Sequence, residues 1–477
     1  MLGANTRQVR SLALPRIIRR TVYIETRVGV MMMNRYDWRE QRSFLTVLVK
    51  WTALGGAVGV LSGIASFLFL RSLEWATATR LAQPELLYGL PLAGLLLGGL
   101  YSRWGGVAGR GNNLVIQEVH SNRDPIPRRM APLILFGTIL THLFGGSVGR
   151  EGTAVQMGAS LADGLRRVFR LTGEDRRWMI LAGISGGFGS VFGTPVAGFV
   201  FALEAPAFGR IRYEGVVPCM AAAIVGDLVT RTLGVQHARG YVMPDVALNP
   251  LLLLAVVLAG CAFGLMAALF VELTDFLKRH SRRLLPSPLL RPLAGGMVVI
   301  GLALLLNTRE YLGLSGQLIT HLFDGTGVPP LAFLGKLVFT AVSLGFGFVG
   351  GEVTPLFIMG GTLGFTLGGL LGIDPMFMAA LGFVAAFAGA SNTPLACTLM
   401  GVELFGGGAV FYLALACFVA YLASGHRGIY ESQRVGTAKT LREIGYTGLT
   451  LGTVSEDRLR WLQVRTSPPD DTPAQPD

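Results

Sequence analysis

Two glutamates sit in short glycine-rich motifs inside stretches that are otherwise apolar. Glu151 lies in GREGT (Gly149–Thr153) and Glu352 lies in GGEVT (Gly350–Thr354). An ionised carboxylate is costly at the depth of a lipid bilayer, and ionisable groups found there are usually functional. Glycine-rich breaks also favour the start of a new helix, whose free N–H groups and partial positive charge attract an anion. The two motifs therefore predict an anion site in which a carboxylate is a competing ligand.

Glu151 would be a tethered rival of a transported anion. When ionised it would occupy the anion site, and when protonated it would lose its attraction to the positive helix ends and leave. This competition would link anion movement to proton movement. A salt bridge from Glu151 to Arg150 at a helix end is the alternative interpretation, because charged groups often pair at bilayer depth.

The same polar motifs occur twice in the same order, which indicates an internal repeat. FGTPVAGFVFALE (Phe192–Glu204) reappears as SNTPLACTLMGVE (Ser391–Glu403), with Thr-Pro and the final glutamate in matching places. Repeats of transporters commonly have opposite orientations and surround a shared site near the bilayer midplane with broken helices. Small residues and prolines that merely loosen the packing of tightly packed helices would explain the glycines of these motifs, but not their glutamates.

The elements that must position these motifs are membrane spans. Of the 477 residues, 51% are hydrophobic and only 15% are charged, and the mean hydropathy is +0.53, which excludes a soluble globular protein of this size. Unbroken apolar stretches long enough to span a bilayer recur, for example 44–70, 86–101, 251–271, 292–306 and 408–424. Glycine, proline and polar residues interrupt 131–152, 180–204, 331–355 and 376–403, which hold the motifs. The interrupted stretches are expected to line a pathway.

The net charge of +12 comes largely from arginines outside these stretches, and the positive-inside rule places them in the cytoplasm. No basic domain that would fold separately lies between the apolar segments, so nucleic acid is not an expected partner. Cys219, Cys261, Cys397 and Cys417 lie singly in apolar stretches, and neither the cysteines nor the histidines have metal-ligand spacing. No metal or other cofactor is expected.

These patterns predict an all-α polytopic membrane protein made of two repeats of short, tilted and often broken helices. We expect the repeats to be inverted because those of membrane transporters commonly are, although the sequence alone does not show the inversion. We expect a basic cytoplasmic N-terminal arm at 1–43, membrane repeats at 44–235 and 236–424, a cytoplasmic C-terminal segment at 425–466 and a disordered tail at 467–477. Both termini are expected in the cytoplasm of a multi-pass protein of the cell (inner) membrane.

The motifs resemble those of the CLC family of chloride channels and proton-coupled antiporters. GREGT is similar to the GREGP motif of that family, GGEVTP (Gly350–Pro355) is similar to its GxFxP motif, and Tyr430 stands where its central tyrosine belongs. The resemblance covers about residues 45 to 435. It implies that Glu151 is the external gating glutamate, that Tyr430 contributes an anion-coordinating hydroxyl, and that the protein is a homodimer with a separate pathway in each subunit.

Several positions depart from the chloride pattern. Val353 replaces the phenylalanine of GxFxP, and GRGNNLV (Gly109–Val115) stands where GSGIP would carry an anion-binding serine. Asn112 aligns with that serine, whereas a gap-free alignment would place Arg110 there. Threonine after GREG, Asn-Asn for the serine motif, and Glu-x-Thr in GGEVTP together resemble the fluoride-transporting branch of the family. Fluoride is small and strongly hydrated, and its site needs strong hydrogen-bond donors.

The resemblance implies an anion site made of residues from three parts of the chain: Asn112, Asn113, Gly149, Arg150, Gly152, Thr153, Val353, Thr354 and Tyr430. Chloride antiporters carry an internal proton glutamate where this chain has Ala205, and Glu352 is the replacement carboxylate. The expected function is proton-coupled fluoride export, with fluoride and protons as substrates. A chloride channel or chloride/proton antiporter of the same family is the alternative. Glu118, Arg150, Glu204 and Glu403 also suit structural charges at helix ends or at the dimer surface.

Two classes other than transport fit the sequence less well. GISGG (Gly183–Gly187) fits GxSxG, so Ser185 would be the nucleophile of an intramembrane enzyme, but it lacks the strand-turn-helix setting. His142, the nearest histidine in sequence, has no evident orienting partner. Gly345, Gly347 and Gly350 similarly match GxGxxG without its context. A purely structural membrane protein would leave Glu151 and Glu352 unexplained.

Overall fold

The computed structural model describes residues 38–237 and 240–466. The chain divides into two units, Met1–Trp51 and Thr52–Asp477. Of the first unit, residues 38–51 are described and form the beginning of a helix. The predicted disordered tail and all but the last six residues of the predicted N-terminal arm lie outside the described residues. The second unit contains both glutamate motifs and every other helix of the described residues.

From residue 38 to residue 237, the first described range, the chain forms eight α-helices. They are α1 (Trp38–Ala82), α2 (Leu90–Leu100), α3 (Asn112–Ser121), α4 (Met130–Leu143), α5 (Glu151–Val168), α6 (Glu174–Phe192), α7 (Pro195–Glu204) and α8 (Val216–Thr232). Short 3-10 turns occupy Pro84–Gly89, Gly106–Arg110 and Tyr213–Gly215, and a π-turn occupies Tyr101–Gly105.

Eight further α-helices come next along the chain. They are α9 (Pro250–Leu284), α10 (Leu290–Leu305), α11 (Gly316–Phe323), α12 (Ala332–Gly345), α13 (Val353–Leu371), α14 (Pro375–Ser391), α15 (Pro394–Phe405) and α16 (Val410–Ala423). Beyond them lie the two-residue strand β2 (Arg434–Val435), a 3-10 turn (Leu441–Tyr446) and α17 (Leu451–Thr466). Strand β2 pairs in parallel with β1 (Ala207–Phe208). The predicted helical fold is confirmed.

Five helical stretches in the described residues are long and apolar enough to cross a membrane: Gln41–Ala82, Pro84–Ser121, Tyr213–Thr232, Pro250–Leu284 and Val353–Leu371. The shorter apolar helices include α4, α7, α12, α14, α15 and α16. Several of these start at residues that favour a helix N-terminus. Pro195 and Pro394 are each the first residue of their helix, where a missing N–H costs nothing.

Matching glycine contacts hold corresponding helix pairs together in the two halves. A side chain at Gly158 of α5 would approach the carbonyl oxygen of Gly183 in α6 to 2.1 Å. A side chain at Gly360 of α13 would approach the carbonyl oxygen of Gly382 in α14 to 2.0 Å. Only glycine permits such close backbone contact, which is a common way to pack membrane helices. Each half therefore presents its motif helix on the same kind of scaffold.

The two halves meet in opposite orientations. Gly149 and Gly351, from the two glutamate motifs, form an antiparallel bridge in which each N–H donates to the other carbonyl, at 2.6 and 2.8 Å. Gly149 aligns with Gly350, so the bridge lies one residue from exact correspondence. Reciprocal bonding between the two motifs is what an approximate two-fold axis produces when it lies between the repeats. The inverted repeat predicted from the sequence is confirmed.

A second reciprocal contact joins α7 and α15. The Glu204 carboxylate, at the end of α7, accepts from the N–H groups of Leu395 and Ala396 at 3.2 and 2.9 Å. The Glu403 carboxylate, near the end of α15, accepts from Val196 and Ala197 at 3.0 and 2.8 Å. Each glutamate therefore caps the N-terminus of the other repeat's helix, which confirms the predicted structural role at helix ends.

These reciprocal caps predict matched losses of stability. Glu204→Gln and Glu403→Gln should each lower the free energy of unfolding by about 1–3 kcal/mol, because an amide removes the charge and one acceptor from two N–H groups. Thermal unfolding in detergent measures the effect, with the exposed Glu85→Gln as control. Unchanged melting temperatures in both variants would show that the caps contribute nothing.

Candidate functional site

Glu151 is completely buried and is the first residue of α5, but its carboxylate binds to another helix. Its Oε2 accepts from the backbone N–H of Thr354 at 3.0 Å, and its Oε1 accepts from the Thr354 hydroxyl. Thr354 is the second residue of α13, so the carboxylate occupies the N-terminus of that helix. N–H groups in the first turn have no partner within their own helix, which makes this position suitable for an anion.

Arg150 supplies the remaining contacts to this carboxylate. Its backbone N–H donates to Oε2 of Glu151 at 3.1 Å, and its Nε donates to Oε1 at 3.3 Å. The sequence left open whether Glu151 is a rival anion or the partner of a salt bridge. The salt bridge is present, and the same carboxylate also occupies the α13 N-terminus, where an anion would bind.

The surrounding residues of the two motifs keep α5 and α13 close together. Gly149 uses its N–H in the bridge to Gly351. A side chain at Gly152 would lie 2.8 Å from the Asn112 amide nitrogen and 3.2 Å from Cα of Gly351. The glycines therefore permit the approach of Asn112, the first residue of α3, to the junction between the motifs.

Thr153 and Thr354 occupy corresponding positions in the two motifs but have different contacts. The Thr354 hydroxyl faces Glu151, whereas the Thr153 hydroxyl is bonded to the hydroxyl of Thr138 at 2.7 Å. Val353, which starts α13, is buried. Of the two threonines predicted from the sequence, the structure places only the Thr354 hydroxyl on the glutamate.

The other predicted residues line a cavity of about 570 Å³. Asn112, Asn113, Glu352 and Tyr430 all contribute to its wall, as do charged side chains of α9 and of the C-terminal segment. Glu151 is not among the lining residues, so its carboxylate does not line the cavity in this conformation. The structure thus separates one buried carboxylate from a second one that the cavity reaches.

Residues 93–425 match the model of the voltage gated chloride channel family. The chain belongs to this family, the CLC family. It is 47% identical over 418 residues to a chloride/fluoride channel protein of Pseudomonas syringae pv. tomato, and the match covers 86% of this chain and 92% of that relative.

Solved structures of CLC proteins share the fold. A CLC-type fluoride/proton antiporter superposes with a TM-score of 0.79 at 34% identity, over 81% of this chain and 98% of the other. A slow cyanobacterial Cl−/H+ antiporter superposes with a TM-score of 0.70 at 20% identity, over 87% and 99% of the two chains. At that lower identity the likeness bears on the fold alone.

Within the CLC fold, the residues that would have served other functions are engaged structurally. Ser185 is buried in α6 and donates to the carbonyl of Cys219 at 2.7 Å. His142 contacts the carbonyls of Thr138 and Val148 at 2.8 and 3.1 Å. Glu118 is buried in a salt bridge with Arg176 at 3.0 Å, as expected of a structural charge. The serine and the histidine therefore do not form a nucleophile and base.

Tyr430 lies in an irregular segment that a buried glutamine holds, and the sequence analysis missed that glutamine. Gln433 donates through Nε2 to the carbonyls of Ala205 at 2.8 Å and Ser391 at 2.9 Å. Its Oε1 accepts from Asn392 at 2.9 Å, and its backbone N–H donates to the carbonyl of Tyr430 at 3.0 Å. Gln433 thereby connects the tyrosine turn to the ends of α7 and α14.

A second tie reaches the same segment from α3. Asn113 accepts from the backbone N–H of Ser432 at 3.2 Å, so its side-chain oxygen holds the segment that carries Tyr430. Ile429 adds a backbone bond to the carbonyl of Ala390 at 2.9 Å. Tyr430 is thus fixed from both repeats. The only signal of Gln433 in the sequence is a polar residue three positions after Tyr430. A single sequence gives no reason to expect the partners of that residue.

Gln433 is therefore predicted to position Tyr430. Gln433→Leu leaves two carbonyls and one amide without their partner, and should raise the KM for transported anion roughly tenfold, the equivalent of about 1.4 kcal/mol of lost hydrogen bonding. Anion flux into liposomes measures it, with the exposed Gln317→Leu as the matched control.

A double-mutant cycle separates positioning from general destabilisation. If Gln433 acts through the tyrosine, its replacement should have little further effect on KM in a Tyr430→Phe background. Fully additive effects on KM, with a normal elution profile for each variant, would contradict the positioning role.

Proposed function

We propose that this protein is a secondary active transporter that exports fluoride across the cell membrane in exchange for protons. Glu151 is its protonatable gate and Glu352 its second coupling carboxylate. The observation that carries the proposal is the Glu151 carboxylate on the N–H and hydroxyl of Thr354, at the N-terminus of α13. A carboxylate and a fluoride ion would compete for these same donors.

Competition at α13 explains how proton and fluoride movements are linked. An ionised Glu151 is attracted by the partial positive charge of the helix end and by its hydrogen-bond donors. Protonation removes that charge, so the side chain leaves and fluoride can take its place. Fluoride can therefore displace the Glu151 side chain from these donors only when that side chain has taken up a proton. Two ions are therefore exchanged through one set of donors.

The donors near the gate suit a small, strongly hydrated anion. The backbone N–H and hydroxyl of Thr354 point at the position of the carboxylate, and the Asn112 amide nitrogen lies beside the same junction. Together with the Tyr430 hydroxyl, these groups would replace water around fluoride. The glycines of the GREGT motif let the backbones of α5 and α13 come close together, and Val353 begins α13 at this junction. Arg150 supplies positive charge. A larger, weakly hydrated anion such as chloride would not need so many strong donors.

The likeness to a CLC-type fluoride/proton antiporter and to a chloride/fluoride channel protein supports fluoride as the substrate. We further propose a homodimer with one pathway in each subunit, in the inner membrane of the cell, with both termini in the cytoplasm. The proposed parts of the chain remain the cytoplasmic arm at 1–43, the repeats at 44–235 and 236–424, the cytoplasmic segment at 425–466 and the tail at 467–477.

If Glu151 is the gate, Glu151→Gln should uncouple fluoride movement from proton movement. The amide cannot release a proton, so fluoride efflux from liposomes should no longer be accompanied by proton uptake, while the wild type takes up protons as fluoride leaves. A fluoride electrode and a pH electrode in the same vessel measure both, and the exposed Glu74→Gln is the control.

Each contrary result has a definite meaning for the proposed function. Proton uptake that persists in Glu151→Gln would remove Glu151 from the coupling mechanism. Faster efflux of chloride than of fluoride in the wild type would favour the chloride-transporting alternative. Fluoride efflux without protons in the wild type would make the protein a passive channel.

A further inference from the structure

The proposed exchange requires a proton route to Glu352 from the side of the C-terminal segment. Chloride antiporters with the similar motif carry a glutamate at the position of Ala205 for this purpose. Ala205 is buried, and its carbonyl is occupied by the amide of Gln433 at 2.8 Å. An alanine side chain cannot carry a proton, so another path has to move protons between Glu352 and that solution.

The 570 Å³ cavity reaches Glu352 and has the character of a hydrated space. Three buried polar atoms on its wall have no hydrogen-bond partner among the described residues: Asn112 Oδ1, Thr274 Oγ1 and Arg291 Nε. Buried polar atoms are nearly always satisfied by protein or by water, and this cavity is large enough for several water molecules. Water would therefore complete the bonding of its wall and provide a medium for proton transfer.

Two other carboxylates line the same cavity, and only one of them is held in a salt bridge within the described part of the chain. Glu431 accepts from Lys278 Nζ at 2.7 Å. Asp275, half-buried on α9 one residue after Thr274, makes no salt bridge with any described residue. A carboxylate without a fixed cation exchanges its proton more readily than one whose ionised form is stabilised by a lysine.

The charges around Asp275 are mixed in sign. Lys278, Arg279 and Glu272 act on it from its own helix, and Glu431 acts on it from the C-terminal segment. Asp275, Lys278 and Glu431 in turn act on Glu352. The remaining cations on the cavity wall are Arg110, Arg282 and Arg291. The cations on the wall would attract an anion into the cavity. Asp275, which makes no salt bridge with a described residue, lies close enough to Glu352 to act on it electrostatically.

We propose that Asp275 is a proton-relay residue that passes protons between Glu352 and the solution on the side of the C-terminal segment. Protonated Glu352 gives its proton, through cavity water, to the Asp275 carboxylate, and Asp275 then releases it to solvent water. Only O–H bonds are broken and formed: Asp275 ends ionised as it began, and Glu352 is left ionised until it accepts the next proton of the exchange. The inference rests on the proposed function and assigns its inner proton path to the anion cavity.

Asp275→Asn and Glu431→Gln form a matched pair for the test, because each removes one negative charge from the same cavity. In liposomes with a proton gradient, Asp275→Asn should slow proton-coupled fluoride efflux roughly tenfold or more, the scale expected for loss of a proton-transferring side chain. Asp275→Glu should restore the rate, and Glu431→Gln, which removes the same charge but no relay group, should slow efflux several-fold less than Asp275→Asn. Size-exclusion profiles and fluoride binding establish that each variant is folded.

Chemical rescue distinguishes a relay from a structural role. Imidazole added on both sides of the membrane should accelerate coupled efflux in Asp275→Asn and not in the wild type, because a small buffer can carry the missing proton. Equal changes in Asp275→Asn and Glu431→Gln would mean that the cavity charges act only on fluoride, and would overturn the relay. A wild-type rate in Asp275→Asn would overturn it as well. Fluoride efflux without protons in the wild type would instead refute the proposed function itself.

Discussion

The structure depends on the placement of a carboxylate at the end of a helix to which it does not belong. Glu151 starts α5 and binds the first turn of α13, where the N–H and hydroxyl of Thr354 receive it. The cost of burying its charge is offset by these donors, by the helix end and by Arg150. Because the same groups would bind a small anion, the proposed mechanism makes the position of this one side chain the gate of the pathway.

The inverted repeat is what brings the two helix ends together. Gly149 and Gly351 bond reciprocally between the motifs, and Glu204 and Glu403 cap each other's neighbouring helices. The repeats nevertheless differ where the chemistry differs. The Thr153 hydroxyl contacts Thr138, the Thr354 hydroxyl contacts Glu151, and Glu352 lines the cavity whereas Glu151 does not. An approximate symmetry thus provides the scaffold, and departures from it provide two unequal carboxylates.

Much of this arrangement could be predicted from the sequence, because the features involved are local. Glycines shortly before Glu151 and Val353 mark two helix starts, and Pro195 and Pro394 mark two others. The matched motifs predict the repeat. Contacts between distant segments could not be predicted in the same way. Nothing in one sequence says that Glu204 caps the helix of the other repeat, or that Gln433 holds Tyr430 to Ala205 and Ser391. The different directions of Thr153 and Thr354 likewise depend on neighbours contributed by other helices.

Fluoride affinity of Glu151→Gln measured against the wild type tests the central claim most directly. Isothermal titration calorimetry compares a protein whose own carboxylate competes for the α13 donors with one from which that carboxylate has been removed. Competition predicts tighter fluoride binding in Glu151→Gln than in the wild type. Equal or weaker binding in the variant would show that the Glu151 carboxylate and fluoride do not share these donors.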